Sequence, residues 1–147
     1  MSSKSKLTKT RVKNLSNKIT KTKSPHGHHK LYQPHHRIDK PNISLKYIDL
    51  HYKSFDDLKQ GNNIRKFDNF LTLLNNAPDW EYVYEKCKKT PTNTKKAIKR
   101  MKSLGFDPVQ TEMFHLRVSN KFRVHGFIRG DRFKLIWLDP EHQINKM

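Results

Sequence analysis

Nine residues between positions 115 and 142 are of types that handle protons and phosphate, and six of them lead: His115, Arg117, Lys121, Arg123, His125 and His142. An imidazole titrates near neutrality, so it can take or give a proton under ordinary conditions. A guanidinium keeps its charge and grips phosphate oxygens with a planar fork. Cleaving RNA asks for these groups together. A base takes the 2′-OH proton, an acid protonates the leaving 5′-oxygen, and fixed cations stabilise the charge that develops on phosphorus. His125 and His142 are the candidates for base and acid, Arg117 and Arg123 for the phosphate, and Lys121 for the backbone or for assisting protonation. His115, Arg129, Arg132 and Lys134 are the candidates for wider nucleic-acid contact.

The spacing of these residues predicts how they meet. Apolar residues alternate through FHLRVSNKFRVHGFIRGDRFKLIWLD, as half-buried strands require. Gly130-Asp131 is a two-residue hairpin turn, which also accounts for the RGD tripeptide. That turn predicts Ile128 opposite Phe133, Gly126 opposite Leu135 and Val124 opposite Trp137 on one face. On the other face it sets Phe127 against Lys134, His125 against Ile136 and Arg123 against Leu138. A three-residue loop, Ser119-Asn120-Lys121, pairs Val118 with Phe122 and Leu116 with Val124, keeping apolar with apolar. The same register places His115 opposite His125 and Arg117 opposite Arg123. Like charges directly opposite are unfavourable, so the array suits an anion site on an open sheet face. No cysteine or carboxylate alternates into this array, so no zinc pattern is expected, and no cofactor is implied.

The rest of the chain supplies the scaffold. ISLKYIDLHY, 43–52, predicts a first strand. Asn63 is placed to cap a helix in which Ile64, Phe67, Phe70, Leu71 and Leu74 form one stripe. Residues 79–89 predict a second helix, acidic early and lysine-rich late. Residues 94–105 predict a third, with Ala97, Ile98, Met101 and Leu104 as its buried stripe and Gly105 as its stop. Trp80 and Trp137 read as core, and Cys87 as a small, partly buried residue. The order of strand, helices and three-stranded meander predicts an α+β domain over 41–147, a small antiparallel sheet with its helices on one face.

The net charge of +18 over 147 residues points to an anionic partner, nucleic acid first. Residues 1–40 hold eleven Lys or Arg and one acid, Asp39, and lack Phe and Trp. They predict a disordered basic arm. Its five histidines, in HGHHKLYQPHH, follow no zinc spacing. The single cysteine suits a reducing compartment, and the longest apolar run, Leu135 to Leu138, is too short for a membrane span. With a polar N-terminus, these features predict a cytoplasmic protein without membrane contact.

A strand with Arg, a turn, FRVHGF, a hairpin and an aromatic strand ending in DPEH together resemble the RelE/ParE-like toxins of bacterial type II toxin–antitoxin systems. The resemblance covers roughly residues 43–147 and is most specific over the last thirty-five. It implies a metal-free endoribonuclease acting on messenger RNA in the ribosome, with an acidic antitoxin protein as partner. It implies catalytic roles for Arg117, Lys121, Arg123, His125 and His142, with His115 beside them. Two other readings fit the same residues: a non-catalytic basic protein that binds nucleic acid or the ribosome, and a gyrase-poison type of toxin acting by protein contact.

Overall fold

The computed structural model describes residues 40–146, and contacts within the chain set Ile38–Met147 apart as one unit. The expected basic arm lies, up to residue 39, outside the described residues. The elements are β1 (Asn42–Ser44), a 3-10 segment (Asp56–Asn62), α1 (Asn63–Asn76), α2 (Trp80–Lys86), β2 (Thr90–Pro91), α3 (Lys95–Ser103), β3 (Phe114–Arg117), β4 (Arg123–Arg129), β5 (Arg132–Asp139) and a closing 3-10 turn (Ile144–Lys146). This is an α+β arrangement. None of the described helices is long and apolar enough to cross a membrane.

Local chemistry accounts for the helices. The Asp79 carboxylate accepts from the Tyr82 amide at 2.9 Å, capping α2, and the Thr94 hydroxyl accepts from the Ala97 amide at 3.2 Å, capping α3. Asn63 does not cap α1; it is the first helical residue, and its amide donates back to the Gln60 carbonyl at 2.8 Å. Phe67, Phe70 and Leu74 of the first predicted stripe are buried, but Ile64 is exposed. Likewise α3 buries Ala97 and Met101 while Ile98 faces solvent.

The sheet has five strands in the order β1-β5-β4-β3-β2, and β1 runs parallel to β5. It is therefore mixed, where an antiparallel sheet was expected. The first strand also stops at Ser44 and does not continue to Tyr52. Beyond it the chain crosses the sheet: the Asp49 amide donates to the Ile136 carbonyl at 2.8 Å, and Tyr47 and Tyr52 pack against the buried group that holds Phe127 and Trp137.

Two apolar clusters lie on opposite faces of the sheet. One joins Phe67, Phe70 and Leu74 of α1 and Trp80 and Val83 of α2 to Phe114, Leu116, Val124, Phe133, Leu135 and Leu138. The other joins Ala97 and Met101 of α3 to Phe127, Ile136, Trp137 and Ile144. The helices thus cover both faces, not one. Phe127, Ile136 and Trp137 cannot be left to water without losing the free energy of burying them, about 1.5–3 kcal/mol per large side chain.

The β3–β4 register follows the apolar alternation: Leu116 pairs Val124, His115 pairs His125 and Arg117 pairs Arg123. The β4–β5 hairpin turns at Gly130, with φ 64°, so that Arg129 meets Arg132, Ile128 meets Phe133 and Gly126 meets Leu135. Between His125 and Gly126 the register then slips. Ile136 is an extra residue, a β-bulge, so His125 pairs Trp137, Val124 pairs Leu138 and Arg123 pairs Asp139. Gly126 permits this approach, because a Cβ there would fall on the Lys134 carbonyl oxygen. Trp137 consequently points to the second face beside His125, not across from Val124 as expected.

Candidate functional site

The bulge decides what the site contains. An unbroken ladder would set Leu138 against Arg123; the slip sets Asp139 there instead, on the face of His115 and His125. A carboxylate therefore joins the histidines. Asp139 Oδ2 lies 3.1 Å from His125 Nε2 and also accepts from the Ile144 amide at 3.0 Å, while Oδ1 accepts from the Gln143 amide at 2.8 Å. His125 Nδ1 lies 3.0 Å from the Thr92 hydroxyl, which in turn is 3.4 Å from His115 Nδ1. The Asn145 amide nitrogen is 3.1 Å from that same His115 Nδ1.

His125 is fully buried and His115 is 5% exposed. Neither lies on the open face that the alternation implied, because the end of β2, α3 and the closing turn cover it. Burial drives the His115 imidazole down to about 4, aided by the neighbouring His125, Arg123 and His142. Burial also lowers His125, against the opposing hydrogen bond and charge of Asp139. Asp139 would be raised by its own burial, but the His125, Gln143 and Ile144 hydrogen bonds hold it below the usual carboxylate value. Burial, followed by the charges of Asp139 and Glu141, pushes Tyr52 up to about 12.

The accessible part of this cluster is a cavity of about 360 Å³ lined by Lys88, Thr90, His115, Arg117, Arg123, His142 and Asn145. The His142 ring lies 5.8 Å from that of His115, centre to centre. His142 and Lys88 both hold positive φ, 55° and 49°, in the left-handed region that non-glycine residues rarely occupy. A backbone held this way at a cavity wall carries strain of order 1 kcal/mol or more that the surrounding structure must sustain. His142 is lowered by its burial, then by Arg123.

The arginine pair has a structural occupation as well. Arg123 Nη1 donates to the carbonyls of Ser119, Asn120 and Phe122 at 2.7, 3.2 and 3.1 Å. Arg117 donates to the Ser119 carbonyl at 3.3 Å and to the Asn120 side-chain oxygen at 3.0 Å. Two like charges face each other because the turn between them supplies acceptors. Arg123, 8% exposed, is thus only partly free for a phosphate.

Four expected residues stand elsewhere. Lys121 lines a separate cavity of about 520 Å³ with Lys66, Asn120 and Glu141. Arg129 and Arg132 sit at the opposite end of the sheet; six residues of strand separate Arg129 from Arg123, ~20 Å at 3.3 Å per residue. There Arg129 packs over the Phe106 ring at 4.8 Å and Arg132 pairs with Asp131 at 3.5 Å. Lys134 is half-buried between Phe127 and Ser44. The sequence reading also missed Thr92, Asp139, Asn145 and Lys88. One signal was present: a glycine inside a strand pattern, Gly126, marks a bulge. Cys87 is buried with its thiol pushed up to about 11, an unreactive state.

Among the described residues, no three His, Cys, Asp or Glu side chains are arranged to hold a metal ion. Comparison of the chain with protein-family models, with curated proteins and with solved structures finds no match.

Proposed function

We propose that the chain is an RNA-cleaving enzyme, a toxin of the RelE/ParE-like kind that acts on messenger RNA at the ribosome and is neutralised by an acidic antitoxin protein. The observation that carries this reading is the 360 Å³ cavity, in which two histidines face three cations, Lys88, Arg117 and Arg123. Its size lies within the ~300–1,000 Å³ range of ligand sites. Lys88 and the outward donors of Arg117 and Arg123 would hold the phosphate, with His115 and His142 on either side of it. The 2′-oxygen attacks phosphorus and loses its proton to one histidine. The P–O5′ bond breaks as the other histidine protonates the departing oxygen, leaving a 2′,3′-cyclic phosphate and a 5′-hydroxyl. His125 takes no direct part, because its two ring nitrogens are enclosed by Asp139 and Thr92.

The test uses the full chain, end-labelled single-stranded RNA and a reconstituted translation reaction with EDTA-treated controls off the ribosome. Expected is strand scission with cyclic-phosphate ends, abolished when the scissile nucleotide is 2′-deoxy. Binding without scission, on and off the ribosome, would sink the proposal. It would favour a non-catalytic nucleic-acid binder, a reading that the exposed Arg129 and Arg132 far from the cavity also support.

A further inference from the structure

We infer that Asp139, His125 and Thr92 form a buried hydrogen-bonded chain that holds His115 as its Nδ1–H tautomer, so that His115 Nε2 is the general base and His142 the general acid. The base and acid roles rest on the RNA-cleaving reading; the tautomer rests on the hydrogen bonds alone.

The direction of each bond follows from the one before. Asp139 accepts two backbone amides and lies against His125 Nε2. A carboxylate with several donors is held ionised and can only accept. His125 Nε2 therefore carries its proton, and the fully buried neutral ring has a lone pair on Nδ1. The Thr92 hydroxyl must donate to that lone pair at 3.0 Å. Its hydrogen is then committed, and its oxygen can only accept. The ring nitrogen 3.4 Å away, His115 Nδ1, is the donor that oxygen can take. This leaves Nε2 of His115 as a lone pair for the cavity that His115 lines.

Asn145 can meet either this arrangement or its opposite, according to which end of its amide faces His115. With its amide nitrogen toward His115, Nδ1 would have to accept, and the tautomer would be Nε2–H. That orientation leaves Asn145 Oδ1 buried without a partner among the described residues. Turning the amide end for end presents Oδ1 to the His115 Nδ1–H, and forgoes the 3.5 Å contact to the Pro91 carbonyl. The oxygen and nitrogen of an amide are assigned by such networks. The turned amide lets Thr92 Oγ1 and Asn145 Oδ1 share the single His115 Nδ1–H and moves the Asn145 NH2 into the buried position that Oδ1 held, so the committed Thr92 hydroxyl, not Asn145, decides the tautomer.

In the reaction, His115 Nε2 takes the 2′-OH proton, and the 2′-oxygen bonds to phosphorus. His142 gives its proton to the 5′-oxygen, and the two rings reset by exchange with water. The imidazolium formed at His115 is opposed by Arg123, Arg117, Lys88 and a protonated His142, and is favoured through Thr92 and His125 by the Asp139 charge. Thr92, His125 and Asp139 are thus positioning residues, since none of them reaches the substrate.

The experiment is ¹⁵N NMR of the full chain labelled at histidine, with His115 assigned by its loss in His115→Gln. Expected is a neutral His115 with Nδ1 protonated and Nε2 bare. Thr92→Val should move His115 toward Nε2–H, and Thr92→Ser should restore the wild-type pattern. In the cleavage assay Thr92→Val should lower kcat about tenfold or more at little change in KM and shift the acid limb of the pH profile, again with rescue by Thr92→Ser. His115→Gln should lower cleavage by about 10²–10⁴-fold. A wild-type His115 with Nε2 protonated overturns the inference, even if RNA is cleaved. So does a His115 tautomer that ignores Thr92→Val while Thr92→Ser stays folded. An Nδ1–H His115 in a protein that never cleaves RNA overturns the RNA-cleaving reading instead.

Discussion

His125→Ala should unfold the domain more readily, and that loss should not be mistaken for loss of chemistry. The imidazole is fully buried and bonded at both nitrogens. Truncating a large core side chain costs ~2–4 kcal/mol through lost contacts and the cavity left behind. Asp139 then loses one of its three donors and Thr92 loses its acceptor, at ~1–3 kcal/mol for each buried group left unsatisfied. Water entering the hole recovers part of this. A net loss of about 4 kcal/mol is expected, a large share of the ~5–15 kcal/mol that holds a domain together. With a urea slope of ~1.5 kcal/mol per molar, the unfolding midpoint should fall by roughly 2–3 M. Fluorescence of the buried Trp80 and Trp137 reads the transition, and the Trp137 ring is 6.4 Å from that of His125. His142→Ala, which removes a half-buried side chain at the cavity, is the control and should move the midpoint by less than about 0.5 M. A His125→Ala midpoint as close to wild type as that control would refute the argument that this ring braces the site.

Other predictions follow from the same geometry. Acid should begin to destabilise the domain above the usual carboxylate range: the folded His115 sits at about 4, and His125 and His142 are also lowered. The unfolded chain therefore binds protons first, and stability present above ~6.5 should be lost as pH falls toward 4. Thermal melts from pH 8 to 2 should show a plateau, a decline from about 6.5 toward 4, and a further drop below the usual carboxylate value, where Asp139 is protonated; a flat profile would contradict it. Gly126→Ala should cost about 3 kcal/mol or more, because the new methyl meets the Lys134 carbonyl and the Phe133 ring; a melting temperature near wild type would show that the bulge does not need glycine. Arg129→Ala with Arg132→Ala should leave kcat for RNA cleavage unchanged, whereas Lys88→Ala should raise KM severalfold. Equal effects from both ends of the sheet would argue for a diffuse basic surface.

The alternation around Ser119–Lys121 was enough to place His115 against His125 and Arg117 against Arg123, because apolar residues cannot change faces within a single hairpin. The three-and-four spacing in 64–74 and 97–104, with the acidic start and lysine-rich end of 79–89, was enough for the helices, whereas the caps at Asp79 and Thr94 appear only in the fold. Those signals are local, and they say nothing about what covers a face. Phe127 and Ile136 on the supposedly open side were a hint that something must cover it, but only the folded chain brings α3 and the crossing segment 45–52 there. Nor does period-two alternation register one inserted residue. The bulge at Ile136 depends on how closely the Lys134 carbonyl approaches Gly126, a contact between strands. That single slip moves Asp139 to the histidine face, and closure of the sheet edge adds Thr92 and Asn145 from far along the chain. The histidines and the two arginines of the site were thus legible in the sequence; Lys88, and the buried carboxylate and hydroxyl that orient the histidines, came from tertiary packing.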